Sequence, residues 1–416
     1  MTGHRVERLA WQDVPLGDIE LPRGRLRLSL GLGSGLSMRP GDPSGAIWAI
    51  GDRGPNLKVK QAVADYGLDH LRRLKDVDGA KIMPRPDIGP TIVELRLDSD
   101  TVRLVRTLPL RGTSGRPISG LPIPEDDAAN VEPAFDLDGN PLDVDPAGAD
   151  TEGIAALSDG TFFIGDEYGP SIFKVDANGV VLFRWVPAGL ERALAGADYP
   201  VHGVLPAIAA RRRLNRGFEA LAVSPDERWL YLMFQSPLAL PDQAAFEGGR
   251  HVRLWKLDAR TGAVAAQFIY PFDAPGTFAR DRQHGDVAWS DLKIGDAAAL
   301  GPDRLLVLER VSHTSKIHVV ALDMACALPE AHLDARTRPT LEQMTPDVLA
   351  AHGLRALGKT LILSTDDAPE VGRDLEGLVV LSPGELLLVN DNDFGIEGID
   401  TRFWRVHLHK PLAQAT

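Results

Sequence analysis

The chain has 416 residues, 44% apolar and 25% charged, with 45 Lys and Arg against 58 Asp and Glu for a net charge of −13. That composition belongs to a folded chain able to bury a large core without covalent staples, and it excludes disorder, collagen and coiled coil. The acidic balance argues against nucleic acid or an anionic membrane as partner, though not against a small phosphorylated substrate. The single Cys326 excludes an internal disulfide and a cysteine-based zinc site, and no apolar run approaches the ~18 residues of a membrane helix.

The N-terminal stretch MTGHRVERLAWQDV has no apolar signal region. The chain as written is expected to be cytoplasmic, or periplasmic or secreted if a leader has been removed. From there, 41 Gly and 31 Pro are spread along the sequence and punctuate many short elements. Between them, β-type runs fall at 47–51, 91–97, 161–165, 172–175, 180–186, 229–234, 252–257, 264–270, 305–308, 317–322, 386–389 and 403–408. Helical patterns are few: 58–75, both ends of 188–213, and 341–349. Segment 111–150 is rich in Gly, Pro and Asp, has no periodicity and reads as a surface excursion. Insertions are thus expected at 58–76, 111–150, 188–213 and 327–352.

One pattern recurs: an acid, a short apolar strand, a turn, a second apolar strand, then a polar cluster. It reads EGIAALSDGTFFIGDEYGP from Glu152, EALAVSPDERWLYLMFQSPL from Glu219 and EGLVVLSPGELLLVNDNDFG from Glu376. A weaker copy starts at Asp296, and a copy without the leading acid starts at Ser34. Further strand-like runs follow each copy, so each unit can supply a four-stranded sheet. Radial repetition of such sheets is a β-propeller, and the expected fold is all-β with five blades, or six if an insertion hides a degenerate one. The chain is expected to form a single propeller domain, with strand-like sequence at 5–14 completing the last blade.

The start of an inner blade strand faces the central channel, so leading positions Ser34, Glu152, Glu219, Asp296 and Glu376 should converge there. A second column follows 13 to 18 residues later at Asp52, Asp166, Gln235, Glu309 and Asp391. Crowded carboxylates raise each other's pKa unless a cation neutralises them, and an all-oxygen ligand set suits Ca²⁺, or Mg²⁺, better than zinc. The expected ligands are Glu152, Glu219, Glu376, Asp166, Asp391 and Asp296. The alternative for any single acid is a solvated turn residue. Arg53, Arg310 and Arg216 share this rim and either grip an anionic group or pair with neighbouring acids. The DLDG at Asp136 with Asp143, Asp145 and Asp150 only partly matches a calcium loop and reads as solvated. His202, His284 and His313 form no zinc pattern. His284 and His313 remain candidate bases, and no GxSxG or Walker A sequence is present.

These copies, with LLVLERV and the GLGSGL and AIGDRGPN segments, resemble the phytase-like family described by an esterase-like activity, from about Gly31 to about Phe394. The resemblance implies a propeller hydrolase of phosphate or carboxylic esters, in a family whose members often carry an export signal. In that reading Ca²⁺ binds the ester oxygen, Glu167 or Asp393 takes a proton from water, and Arg53 and Arg310 stabilise developing charge. Asp52, Glu309, Gln235, Asn392 and Arg216 would contact substrate. A monomer acting on a small-molecule ester is expected. The alternatives are a lactonase, or a binding or scaffold propeller with a structural ion.

Overall fold

Each copy of the repeat opens an antiparallel sheet, and five sheets of this kind occur among the residues that the computed structural model describes, 3–124 and 132–412. The first sheet contains Gly35–Ser37, Ala46–Ile50, Thr91–Leu97 and Val102–Pro109. The second contains Thr151–Ala156, Phe162–Asp166, Ser171–Val175 and Val181–Pro187. The third contains Phe218–Val223, Trp229–Phe234, His251–Asp258 and Val264–Pro271. The fourth contains Lys293–Gly301, Arg304–Arg310, Ser315–Ala321 and Lys359–Ser364. The fifth contains Leu375–Ser382, Glu385–Asn390 and Phe403–His407, and Arg5–Leu9 pairs antiparallel to the last of these. Innermost strands of neighbouring sheets pack on one another, and the fifth packs back on the first, which closes a propeller.

The strands read as continuous apolar runs because both faces of every sheet are covered. Successive side chains point to opposite faces. In Arg304–Arg310, Leu305 and Val307 pack towards the third sheet with Met233, Phe268 and Tyr270, while Leu306 and Leu308 pack towards the fifth with Leu386, Leu388 and Trp404. Equivalent cores lie at the other three sheet junctions. Each fully buried large side chain in them contributes roughly 1.5–3 kcal/mol.

Near the axis the inner strands approach so closely that the repeat needs glycine after its acid. A Cβ on Gly153 would lie 2.7 Å from the carbonyl oxygen of Glu219, and one on Gly377 would lie 2.5 Å from Val389. Asp296 secures the same region. Its carboxylate accepts from the backbone N–H of Leu36 at 3.2 Å, Leu378 at 2.8 Å and Ala297 at 2.8 Å, tying the first, fourth and fifth sheets together.

The insertions depart from expectation. Segment 58–75 contains only the short helix Val59–Ala64 and the 3₁₀ segment Asp69–Leu74. In 188–213 the helical ends are 3₁₀ turns, and between them Val201–Leu205 adds a parallel fifth strand to the second sheet. Segment 111–150 is not simply a surface excursion. Ile118, Ile123, Ala147 and Ala149 are buried, and the segment delivers Asp150 and, beyond the undescribed 125–131, Glu132 to the channel.

Candidate metal centre

Above the inner strands lies a polar cavity of about 1000 Å³ lined by both acidic and basic side chains. Seven carboxylates at or beneath it form a continuous chain. Asp52, Asp391 and Asp393 offer oxygens within 4.8 Å of one another, as do Asp52, Asp150 and Glu152, and as do Glu152, Glu167 and Glu219. Asp52 and Glu152 are therefore shared between adjacent groups. Arg216, Lys293 and Arg310 line the same cavity.

The acids are poorly neutralised. Both oxygens of fully buried Asp150 and one of Glu167 lack a hydrogen-bond donor, although an Arg53 nitrogen lies 3.0 Å from Asp150. Burial pushes the Glu219 carboxyl up to about 8, helped by Glu167. Burial also drives Glu152 well above the carboxylate range, with Glu219, Glu167 and Asp150 adding to the effect. Asp150 rises for the same first reason against the pull of Arg53, and Asp391 rises through burial and then through Asp393 and Asp52. Buried oxygens with no donor, arranged in adjoining triads, fit a hard divalent cation.

Several expected ligands are committed elsewhere. Glu376 is bound by Arg310 and joins no acidic group. Asp296 is the backbone staple described above. Asp166 accepts from Arg184 at 2.8 Å, Ser171 at 2.7 Å and the Asp150 N–H at 2.7 Å, leaving it no place on a cation. Glu309 points between the third and fourth sheets, where it accepts from Tyr270 at 2.8 Å and Lys359 at 2.5 Å. It sits there with Asp273 and His318, but Lys316 and Lys359 already supply the opposing charge. Asn392 is buried, donates to the Leu30 carbonyl at 3.0 Å and stays outside the cavity wall. Asp166 and Glu309 miss by one residue: strand alternation turns each away and presents its successor, Glu167 or Arg310.

The arginines also differ from expectation. Arg53 is buried and filled by Glu132 at 2.5 Å, the Tyr168 hydroxyl at 3.1 Å, Asp150 at 3.0 Å and Asn215. Its closest approach to Asp52 through the side chain is 3.6 Å. Arg310 holds Glu376, with Asp374 at 3.9 Å, and does not pair with Glu309. Arg216 and Gln235 do line the cavity. Gln235 accepts from Arg216 at 2.7 Å and donates to Glu219 at 2.6 Å. His313 lines the cavity wall and stacks on His284 at 4.2 Å, while His202 packs near Phe183.

The residues that sequence reasoning missed are Asp150, Glu132 and Lys293. A signal for Asp150 existed: DTEG at 150–153 recurs as DLEG at 374–377. Backbone strain gathers here too. Asn215, Asp374, Asp393 and Glu397 line the cavity with positive φ values of 55°, 53°, 45° and 63°. Conformations of this kind persist where surrounding structure enforces them, often at functional sites.

A model of the phytase-like family, described as the esterase-like activity of phytase, matches residues 29–394. The chain belongs to that family. A curated relative of this phytase-like chain, from Arthroderma benhamiae, is an uncharacterized secreted protein, 27% identical over 226 residues. That match covers 48% of this chain, which spans about 41% of the relative's length. Among solved structures, a luciferin-regenerating enzyme is 11% identical with a TM-score of 0.36, covering 98% of this chain and 97% of its own. A calcium-binding regucalcin from Agrobacterium tumefaciens is 12% identical with a TM-score of 0.32, covering 92% of this chain and 97% of its own. No helix among the described residues is long and apolar enough to cross a membrane.

Proposed function

We propose that this phytase-like chain is a metal-dependent hydrolase of phosphate or carboxylic esters, with Ca²⁺ as the preferred ion and Mg²⁺ as the alternative. The observation that carries this reading is the set of donor-free buried oxygens on Asp150 and Glu167 within the carboxylate chain. Asp52, Asp150, Glu152, Glu167 and Glu219 would hold the ion, and Asp391 would extend the site towards the rim. A bound divalent cation supplies Lewis-acid polarisation of the ester oxygen and a more acidic water.

The chain's own residues do the rest. Asp393, the exposed acid of its group, takes the proton from the attacking water. Gln235 fixes Glu219 and Arg216 relative to one another. Arg53 positions Asp150 and Glu132 and does not touch substrate. The substrate is a small-molecule ester, and the acidic chain acts as a monomer. The description of the fungal relative as secreted supports a compartment outside the cytoplasm, where weak calcium sites are filled.

The test is hydrolysis of nitrophenyl phosphate, nitrophenyl acetate and a simple lactone by metal-stripped protein, with and without added Ca²⁺. Calcium-dependent turnover of an ester is expected. Turnover of the lactone alone would shift the reading to a lactonase, and inertness towards all three would leave a binding propeller with a structural ion.

A further inference from the structure

Lys293 begins the innermost strand of the fourth sheet and is half-buried in the cavity wall. It makes no hydrogen bond to a side chain and no ion pair among the described residues, although two guanidinium groups flank it. Arg310 is its cross-strand partner, and Arg216 acts on it as a second like charge, with Glu219 and Asp374 as weaker opposing charges. Neither neighbour can swing away, because Arg310 is tethered to Glu376 and Arg216 to Gln235 at 2.7 Å. Lys293 also stands where the main cavity meets a side pocket of about 370 Å³ that is lined by His284, His313 and Val287.

Burial, Arg310 and Arg216 all disfavour a charge on Lys293, and an anion placed beside the three groups offsets that cost. The carboxylate chain adjoins them, with Glu219 joined to Arg216 through Gln235, so an ion bound by that chain would add positive charge beside the same group. A tetrahedral oxyanion has enough acceptors to meet both at once. A neutral carboxylic ester does not need the lysine wall. We propose that Lys293 is a substrate-binding residue that recognises the anionic group of the substrate and sets the preference for phosphate esters over neutral esters. The proposal rests on the hydrolase reading for its substrate but not for its binding event.

The test uses the full chain loaded with Ca²⁺, with Lys293→Met and Lys293→Arg. Inorganic phosphate binding is read by calorimetry, and nitrophenyl phosphate and nitrophenyl acetate give KM and kcat. Loss of one charge-assisted contact should weaken phosphate binding in Lys293→Met by roughly ten- to a hundredfold. KM for the phosphate ester should rise by a similar factor, with the acetate little changed, and Lys293→Arg should retain most of the affinity. Thermal melting checks that both variants fold. Equal phosphate affinity in wild type and Lys293→Met, or no phosphate binding by wild type, overturns the proposal. Lys293-dependent phosphate binding without turnover of any ester would keep it and overturn the hydrolase reading instead.

Discussion

Replacing Glu152 by Gln tests the shared-ligand geometry directly, because the carboxylate belongs to two of the three acidic groups. Two unit charges 4.8 Å apart, the outer limit within each group, interact by about 3.5 kcal/mol at an effective dielectric of 20. Protonation relieves much of this in the metal-free protein, so removing the charge should stabilise that state by about 1–2 kcal/mol. For 416 residues the entropy of unfolding is about 0.9 kcal/mol per degree, which makes the gain about 1–2 °C in chelator. With Ca²⁺ at a thousand times Kd, wild type should gain about 4.1 kcal/mol, or about 5 °C. If the variant binds a hundredfold more weakly, its gain falls to about 1.4 kcal/mol, or about 1.5 °C. The order of melting temperatures should therefore invert between chelator and calcium, as read by scanning fluorimetry. A variant that melts lower than wild type by the same amount in both conditions would refute the shared-ligand reasoning.

Calcium affinity should rise by at least tenfold from pH 6 to pH 8, measured by calorimetry. Burial holds Glu219 up to about 8 and Glu152 and Asp150 well above the usual range, so the cation must displace protons. The sign for the metal-free protein is opposite. A raised folded pKa gives stability that is fully present below the unfolded value and lost as pH rises through about 8, so chelated protein should melt higher at pH 6 than at pH 8. A flat calcium titration would count against the cluster. Arg53→Ala leaves Asp150 and Glu132 buried without their cation and should cost about 3–5 kcal/mol with or without calcium. A change in phosphate-ester KM at unaltered melting temperature would instead make Arg53 a substrate contact. Asp296→Ala orphans the Leu36 and Leu378 N–H groups and should destabilise by about 1–3 kcal/mol for each. Calcium affinity should stay unchanged, and a lost calcium response would return Asp296 to the metal site.

The propeller was legible because its signal is repetition, and repetition survives uncertainty in any one element. Trp229–Phe234 and Thr91–Leu97 stand where their apolar runs put them, since both faces of those strands are buried. Short strands with polar neighbours, such as Val201–Leu205 and Pro15–Glu20, carry no such run and are fixed by pairing with Val181–Pro187 and Arg25–Ser29. The site was half legible. Asp52, Glu152, Glu167, Glu219, Asp391 and Asp393 all reach one cavity or its floor, as their positions after or before apolar strands suggest. Asp150 was obscured by an aperiodic Gly- and Pro-rich segment. Lys293 was obscured because it precedes its strand's apolar stretch by only one position, although Arg216 and Arg373 stand at the same distance before the leading acids Glu219 and Glu376.

The place where the acids accumulate follows from a single position of the repeat, the residue just after the second strand's polar end. In the first and fourth sheets it is Arg53 and Arg310, and each guanidinium meets the acids that open the next sheet, Asp150 for one and Asp374 with Glu376 for the other. In the second sheet the same position is Glu167. Arg53, Arg216 and Arg212 act on it as opposing charges, but it is not ion-paired like the two arginines: it lies against Glu219 of the third sheet, and with Glu152 it forms the innermost acidic group. A charge-neutral junction, repeated twice around the ring, is thus inverted once. The inversion costs folding energy wherever no ion is present, because three buried carboxylates can then be accommodated only by taking up protons. The asymmetry of the ring, more than the number of its acids, sets the second junction apart from the first and the fourth.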